Sequence, residues 1–376
     1  MIPFNKPYSS GDELKNIATA ITAGKISGDG TFTVKCHEFF EKRYGFKKCL
    51  LTTSCTDALE MASILLDIKP GDEVIAPSYT FVSSVNAFTL RGADIVFADS
   101  YDDHPNVDPQ HIEKLITPKT KAIVVVHYAG VACDMDAIMG LAKQYNIAVV
   151  EDAAQAIDSY YKGRPLGSIG TFGTFSFHET KNIIAGEGGL LAINDERYIQ
   201  RAEIIREKGT NRSSFFRGEV AKYGWVDIGS SFLPSDIIAA YLYAQLENID
   251  GIQARRKAIW QRYYDNLSDV LTNSGIQLPK INENSTNNAH VFYLVCENIE
   301  QRTELIKVLR DNGIHAVFHY LSLHQSEYYQ SRHNGNDLPN SDKFTDTLVR
   351  LPLFYELTDE QVDYVCSVIT DFVKEN

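Results

Sequence analysis

The sequence predicts an α/β fold in which a large, mostly parallel sheet carries helices on both faces and a smaller α/β domain follows it. Between about residues 48 and 180, short and almost continuously apolar segments alternate with helix-like segments, which is typical of strands buried on both faces. The chain has 376 residues, too many for one compact core. We therefore expect a large domain over residues 1–245 and a small C-terminal domain over residues 246–376.

The individual elements follow from apolar periodicity and from turn residues between the segments. In the large domain we expect strands at residues 48–53, 73–76, 93–98, 121–126, 147–152 and 170–176, and helices at 57–66, 81–90 and 134–145. A long helical stretch from Ile237 to about Leu271 links the two domains. In the small domain we expect strands at 290–295 and 316–320, a helix at 302–312 and a C-terminal helix from Thr358.

The composition argues against several classes of protein. The formal net charge is −13, whereas a duplex-binding protein usually has a basic face, so nucleic acid is not an expected partner. No apolar run approaches the length of a membrane span and the N-terminus does not resemble a signal peptide, which predicts a cytoplasmic location without membrane attachment. The six cysteines are scattered without a CxxC pair, which indicates buried thiols and not a disulfide framework or a zinc site.

Polar residues at the predicted strand ends are the candidates for chemistry, because ligands of parallel α/β sheets bind beyond the carboxyl ends of the strands. Ser54, Cys55 and Thr56 open a helix, where free N–H groups hold a phosphate or where a hydroxyl simply caps the helix. Asp152 ends a buried strand and could pair with a protonated ring nitrogen, or cap the next element. A metal site is not expected, because no further ligand lies nearby in sequence.

The third candidate is Lys181, which follows Ser176 and precedes the glycine-rich turn Gly186–Gly189. Lysine is the side chain that forms a reversible imine with an aldehyde cofactor, and glycines allow the backbone to approach such a group closely. Most lysines at strand ends are merely solvated, so each of the three candidates is weak by itself. Their order along the chain makes them informative.

With that order, the whole chain resembles the DegT/DnrJ/EryC1/StrS family of sugar aminotransferases. The matching stretches are Gly28–Gly30, Ser54–Thr56, Pro77–Phe81, His127–Gly130, Glu151–Gln155, Ser176–Asn182 and Leu351–Leu353. The resemblance implies the aspartate-aminotransferase-like fold of pyridoxal-phosphate-dependent transferases (fold type I). It also implies pyridoxal 5'-phosphate as cofactor and a homodimer with active sites at the subunit interface.

The resemblance also implies roles for individual residues. Lys181 would hold the cofactor as a Schiff base and then move a proton between the cofactor carbon and the sugar carbon. Asp152 would keep the pyridine nitrogen protonated, which makes the ring a better electron sink. The remaining expected cofactor contacts are Phe81 stacking on the ring, Gln155 at the 3-hydroxyl, and Ser54, Cys55, Thr56 and Ser176 around the phosphate.

At Ser231 the sequence departs from the family pattern. Most members have an asparagine there that reaches the phosphate of the neighbouring subunit's cofactor, in a segment that reads Gly229–Leu233 in this chain. A serine hydroxyl is shorter but is still able to reach a phosphate oxygen, directly or through water. Ser231 is therefore an expected cofactor contact across the subunit boundary.

Several residues are candidates for binding the substrate. A run of cations interleaved with aromatic residues suits a diphosphate, although such a run is also typical of a solvated loop; it consists of Arg206, Lys208, Arg212 and Arg217. His319 and His324 lie where the family places residues near the sugar. An isolated histidine is more often structural, so both interpretations stay open for this pair.

The expected reaction moves the amino group of glutamate to the 4-keto carbon of a nucleotide sugar. Longer stretches resemble the branch that converts dTDP-4-keto-6-deoxy-D-glucose to dTDP-4-amino-4,6-dideoxy-D-galactose: Val126–Cys133, Ile204–Arg212, Asp227–Ser231 and Ala316–Tyr320. A gluco-configured product and amination of a 3-keto sugar remain alternatives.

Three other functions fit the sequence less well. The family's 3-dehydratases replace the Schiff-base lysine by histidine, whereas Lys181 is present. A non-catalytic regulatory protein on the same fold would be expected to lose its cofactor residues, but lysine, aspartate, glutamine and serine all remain. A dinucleotide-dependent dehydrogenase would need a GxGxxG motif after a strand, which the sequence lacks.

Overall fold

The computed structural model describes residues 1–272 and 274–375. Its α-helices are α1 (Glu13–Thr22), α2 (Thr31–Tyr44), α3 (Cys55–Leu65), α4 (Ser83–Thr89), α5 (Pro109–Leu115), α6 (Met135–Tyr145), α7 (Ile199–Arg206), α8 (Arg212–Phe216), α9 (Asp236–Glu247), α10 (Ile249–Leu267), α11 (Ile299–Asp311), α12 (Pro339–Thr347) and α13 (Asp359–Glu375). Its strands are β1 (Lys48–Thr52), β2 (Glu73–Pro77), β3 (Asp94–Ala98), β4 (Thr120–Val126), β5 (Ala148–Asp152), β6 (Tyr160–Tyr161), β7 (Arg164–Pro165), β8 (Phe172–Ser176), β9 (Gly189–Ile193), β10 (Phe292–Val295), β11 (Val317–Phe318) and β12 (Leu348–Leu351). In the part of the chain that these elements cover, no helix is both long and apolar enough to cross a lipid bilayer.

The large domain is built on a sheet with the strand order β1-β9-β8-β5-β4-β2-β3. Strand β9 runs antiparallel to both of its neighbours, and the other pairings are parallel. The predicted mostly parallel sheet is therefore confirmed. Because β4, β5 and β8 are parallel, their last residues Val126, Asp152 and Ser176 lie at one edge of the sheet. The antiparallel strand β9 starts at that same edge, with Gly189 beside Ser176.

Both faces of this sheet are buried, which explains why its strands are apolar at successive positions. In β4, Ile123 and Val125 face a core shared with α2, α6 and α9, while Ala122 and Val124 face a core shared with α3 and α4. Burial of each such aliphatic side chain contributes about 1.5–3 kcal/mol. The two cores fix the sheet edge at which the polar strand ends meet.

The small domain has a core of its own around a sheet with the order β10-β12-β11 and helices α11 and α13. Two details differ from the sequence-based prediction. The long helical stretch predicted from Ile237 divides at Asn248 into α9 and α10. Near the N-terminus, Ile2 pairs with Ile314 and packs in the core around β10 and β12, a long-range contact that the sequence did not predict.

Directly beneath the polar sheet edge, the fully buried carboxylate of Glu151 collects backbone hydrogen bonds from a loop. Gly167 N–H donates to Oε2 (2.8 Å), and Ile169 and Gly170 N–H donate to Oε1 (2.7 and 2.5 Å). The Nε2 of His127 lies 3.0 Å from Oε2. Hydrogen bonds to a buried charge are each stronger than neutral ones, so Glu151 anchors this loop to the end of β5.

We expect Glu151→Gln to lower the free energy of unfolding by about 3 kcal/mol, because the new amide group turns an N–H donor toward the N–H of Gly167 in a buried site. Urea titration at constant protein concentration measures the change. Glu196→Gln is the matched control: Glu196 pairs with Lys47 at 3.2 Å on the surface, and its loss should cost less than about 1 kcal/mol. Equal losses in both variants would contradict the anchoring role.

Candidate active site

A cavity of about 850 Å3 opens where the sheet edge of the large domain faces the small-domain strands β11 and β12. Most of the predicted cofactor residues line it: Ser54, Cys55, Thr56, Phe81, Asp152, Gln155, Ser176 and Lys181. The small domain contributes Phe318, His319, Tyr320 and Arg350. Residues of both domains thus line the cavity, and its volume lies in the range of small-molecule sites.

One wall of the cavity is the N-terminus of α3. Ser54 caps the helix by accepting a hydrogen bond from Asp57 N–H (3.1 Å). The N–H groups of Cys55 and Thr56, in the first turn of the helix, have no intrahelical acceptor, which is the arrangement that suits an anion. A Cβ atom at Gly189 would lie 2.3 Å from the Ser54 carbonyl, so only glycine allows β9 to approach the helix this closely. The capping interpretation of Ser54 is therefore confirmed, and the binding of a phosphate at Ser54–Thr56 stays a prediction.

The carboxylate of Asp152 is fixed at the end of β5. Ser84 Oγ donates to Oδ2 (2.6 Å) and Ala154 N–H donates to Oδ1 (3.1 Å). The side chain is buried and lines the cavity. These bonds orient an anion toward the interior, where it can stabilise a protonated nitrogen of a bound ring. Ser84 was not predicted, although a hydroxyl at the start of α4 was a usable signal.

Gln155 and Phe81 both lie next to Tyr320, which was not predicted as a site residue. Gln155 accepts from Ala129 N–H (2.7 Å) and donates from Nε2 to Tyr320 Oη (3.0 Å). Phe81 is 54% exposed and its ring centre lies 6.2 Å from that of Tyr320. The exposed face of Phe81 is therefore available for stacking against a planar ring. The chain adopts φ +45° at Tyr320, an uncommon conformation for a bulky residue.

Lys181 lies in the cavity beside Cys55 and Asp152. Burial lowers the pKa of the Lys181 amine, and the nearby charge of Arg350 adds to that effect, while Cys55 and Asp152 oppose it. Burial also raises the pKa of the Cys55 thiol, which stays protonated. An amine with a lowered pKa is a better nucleophile and proton acceptor at neutral pH.

The backbone next to Lys181 is held by its neighbour Asn182. The Nδ2 of Asn182 donates to Gln253 Oε1 (2.9 Å) and to Asn288 O (2.8 Å). Its Oδ1 lies 2.9 Å from Nδ1 of His290, which also lines the cavity. Both ends of the Asn182 amide are therefore bonded in the interior, which fixes the point from which the Lys181 side chain extends.

The four predicted diphosphate-binding cations do not line this cavity. The prediction is corrected for Arg206, which is buried and donates to Leu51 O (2.8 Å) and to Asp29 Oδ1 (2.8 Å). Lys208 is exposed. The other two pair with carboxylates of their own region, Arg212 with Glu207 (3.6 Å) and Arg217 with Glu203 (2.8 Å) and Glu219 (2.7 Å).

The two predicted histidines lie in different places relative to the cavity. His319 lines the cavity, and its Nδ1 lies 2.7 Å from Tyr128 Oη. Burial, with the charges of Arg350 and Lys181, holds the pKa of His319 well below its usual value, so the ring is neutral. His324 lies outside the cavity lining and bonds Ser78 Oγ through Nδ1 (2.8 Å). Its predicted place near the sugar is corrected, since it joins the two domains behind the cavity wall.

Arg350 is the most informative residue that sequence reasoning missed. It lies on β12 directly before the Leu351–Leu353 stretch that the resemblance singled out, and it lines the cavity. A charged residue within an otherwise apolar strand was the available signal. Ser231, by contrast, is exposed and does not line the cavity of its own chain.

Comparisons with known proteins agree with this geometry. Residues 7–370 match the model of the DegT/DnrJ/EryC1/StrS aminotransferase family. The chain is 32% identical over 382 residues to the spore coat polysaccharide biosynthesis protein SpsC of Bacillus subtilis (strain 168), covering 99% of this chain and 97% of that protein. The aminotransferase TlmJ from Streptoalloteichus hindustanus superposes with a TM-score of 0.91 at 28% identity, covering 100% of this chain and 99% of that one.

The PMP-form of the putative sugar aminotransferase Spr1654 from Streptococcus pneumoniae also superposes with a TM-score of 0.91, at 28% identity and with 100% of each chain covered. The same protein is solved in a PLP-form, with a TM-score of 0.90. These similarities confirm the predicted aspartate-aminotransferase-like fold and pyridoxal phosphate as the cofactor.

The test follows the reaction of lysine amines with an amine-specific reagent as a function of pH, in protein freed of cofactor. We expect the midpoint of this reaction for Lys181 to lie below the midpoint for the exposed Lys208, because burial disfavours the charged form of Lys181. Asp152→Asn should lower that midpoint further, since the Asp152 charge raises the pKa of Lys181. Mass spectrometry of labelled peptides measures both lysines in one sample. Glu187→Gln, which removes another cavity carboxylate, is the control and should leave the midpoint in place. A Lys181 midpoint at or above that of Lys208 would contradict this assignment.

Proposed function

The chain belongs to the DegT/DnrJ/EryC1/StrS aminotransferase family and is a pyridoxal-phosphate-dependent sugar aminotransferase; from that premise we propose that it aminates the 4-keto carbon of a nucleotide sugar with glutamate as donor. The proposed substrate is dTDP-4-keto-6-deoxy-D-glucose and the proposed product dTDP-4-amino-4,6-dideoxy-D-galactose. The observation that carries the chemistry is the position of Lys181 in the cavity, together with the α3 N-terminus and Asp152.

The residues present fit pyridoxal phosphate. The unpaired N–H groups of Cys55 and Thr56 would hold the phosphate, with the hydroxyl of Ser176 also lining the cavity. Asp152, oriented by Ser84, would bind the ring nitrogen, and Phe81 would cover the ring face. Bound pyridoxal phosphate supplies a reactive aldehyde and a ring that withdraws electrons from the reacting carbon.

Lys181 is the proposed proton carrier. Its Nζ accepts a proton as the neutral amine and returns it as the ammonium, and a lowered pKa keeps both forms accessible near neutral pH. The face of the sugar that meets Nζ decides between galacto and gluco products.

The sugar substrate is supported by the stretches that resemble the 4-amination branch. Val126–Cys133 and Ala316–Tyr320 both contribute residues to the cavity wall, through Val126 and through Val317–Tyr320. The similar protein SpsC is described as acting in polysaccharide biosynthesis, which fits a deoxyamino sugar for a surface polysaccharide. The same cavity residues would also accommodate a 3-keto sugar, so the position of amination has to be determined by analysing the product.

Incubation with glutamate and dTDP-4-keto-6-deoxy-D-glucose should yield nitrogen at the 4-position in galacto configuration, assigned by NMR. Lys181→Ala should abolish turnover, because no other group takes its place as proton carrier. Lys143→Ala removes an exposed lysine of α6 that does not line the cavity and is the control for the loss of an amine. Full activity of Lys181→Ala would refute the mechanism, while nitrogen at the 3-position or a gluco product would refute the substrate assignment.

A homodimer is part of the proposal. A surface patch of exposed apolar residues lies beside Ser231 in sequence, and Trp225 within it is 83% exposed. We call it the apolar patch; its members are Phe216, Tyr223, Trp225, Val226 and Ile228. An exposed cluster of this kind is typical of a protein interface. In a dimer built on it, Ser231 and the cations Lys208 and Arg212 would be near the partner's cavity.

Trp225→Glu should therefore shift the protein from dimer to monomer in sedimentation velocity and reduce its activity, because a buried charge disfavours the interface. Tyr145→Glu alters another exposed aromatic residue, at the end of α6, and should leave the dimer intact. A wild-type protein that is monomeric and active at assay dilution would contradict the proposal.

A further inference from the structure

The turn between β8 and β9 carries a histidine and a glutamate that face each other in the cavity. His178 and Glu187 both line the cavity, and the Nε2 atom of His178 lies 3.7 Å from Oε1 of Glu187. Both side chains are accessible, with 41% and 69% of their surface exposed. Over residues 1–272 and 274–375, Glu187 has no other ion-pair partner within 4.0 Å. We call these two residues the His178–Glu187 pair.

The imidazole of His178 is held in one orientation by Thr180. Its Nδ1 accepts the backbone N–H of Thr180 (3.3 Å) and lies 3.0 Å from the hydroxyl Oγ1 of the same residue. A ring nitrogen that accepts an N–H carries no proton, so the proton of the neutral ring is on Nε2, the atom that faces Glu187. The pair therefore presents an N–H donor and a carboxylate acceptor to the same part of the cavity.

The distance between the two side chains leaves room for a third atom. At 3.7 Å, Nε2 and Oε1 are too far apart for a direct hydrogen bond. An oxygen atom at about 2.8 Å from each of them would accept from Nε2 and donate to Oε1. A hydroxyl group has this combination of a proton and lone pairs. An anion would meet the charge of Glu187, and an ammonium group has no lone pair for Nε2–H, so a neutral hydroxyl is the ligand that matches.

The same turn places the pair next to Lys181. The N–H of Lys181 donates to the carbonyl of His178 (2.9 Å). The N–H of Glu179 donates to the carbonyl of Gly186 (3.0 Å), which joins the two ends of the turn. In the proposed function Lys181 acts at the keto carbon of the sugar. A hydroxyl that binds to the pair therefore belongs to a carbon near that keto carbon.

We propose that the His178–Glu187 pair binds the hydroxyl group next to the keto carbon of the sugar, which is the 3-hydroxyl of a 4-keto-6-deoxy sugar. Nε2 of His178 donates to the hydroxyl oxygen, and the hydroxyl donates to Oε1 of Glu187. The inference rests on the proposed function, in which the substrate is a 4-keto sugar nucleotide. It assigns to the pair the orientation of the sugar ring and the selection of a sugar that carries this hydroxyl.

The direct test uses the wild-type protein and two sugars that differ in one hydroxyl group. dTDP-4-keto-6-deoxy-D-glucose and its 3-deoxy analogue are each added to the enzyme in its amino form, and the visible absorbance of the cofactor follows the half-reaction. The apparent dissociation constant should be about 30-fold higher for the analogue, the scale of one hydrogen bond to a charged group. Equal affinity of wild type for the two sugars would overturn the inference.

Variants of the pair show whether these side chains are responsible for the selection. His178→Phe removes the donor and keeps a planar ring. It should bind the full sugar about tenfold more weakly than wild type and the 3-deoxy analogue equally, because only the full sugar has the hydroxyl that Nε2 contacts. Glu187→Ala should behave in the same way. His315→Phe is the matched control, since His315 is exposed and does not line the cavity.

The two sugars also separate binding from a merely structural role. If His178→Phe weakened both sugars by the same factor, the inference would be overturned. The half-reaction with glutamate should change less than about threefold in His178→Phe, and a larger loss there than with the sugar would assign the pair to the amino donor instead. A wild-type enzyme that aminates the 4-position without discriminating against the 3-deoxy analogue refutes only the role of the pair. No reaction with dTDP-4-keto-6-deoxy-D-glucose refutes the proposed function itself.

Discussion

The site depends on the alternation of side chains at the end of β5, where adjacent carboxylates point to opposite sides of the sheet. Glu151 faces inward and binds the N–H groups of Gly167, Ile169 and Gly170. Asp152 faces the cavity and is held by Ser84. Because Glu151 ties the 167–170 loop to the end of β5, the strand end that carries Asp152 is held in place by hydrogen bonds.

The arrangement at this edge of the sheet also depends on the antiparallel direction of β9. If every strand were parallel, the start of β9 would lie at the far edge of the sheet. The antiparallel direction instead brings Gly189 beside Ser176 and against Ser54. The absent side chain allows the N-terminus of α3 to approach the strand, which places the N–H groups of Cys55 and Thr56 at the cavity wall. The last glycine of the turn after Lys181 thus allows the close packing of α3 against β9.

Much of the large domain could be predicted because its strands are buried on both faces, so that runs such as Ala122–Val126 are apolar without interruption. Features that depend on contacts between distant segments could not. The break at Asn248 separates two consecutive helices, and the pairing of Ile2 with Ile314 joins distant parts of the chain. Periodicity within a segment carries no information about either.

Among the functional side chains, too, those that depend on contacts between distant segments could not be predicted. Arg206 and Arg350 are chemically identical, yet Asp29 neutralises the first in the interior and the second faces a cavity without a carboxylate partner among the described residues. The sequence identifies both arginines as cations, but it does not show which residues lie next to each of them. The cavity wall is similarly formed between domains: Tyr79 Oη donates to His319 O (2.5 Å), and Tyr128 Oη lies 2.7 Å from His319 Nδ1. Since these bonds hold the wall before any ligand binds, the donor and the sugar meet a preformed site, which lowers the entropic cost of binding.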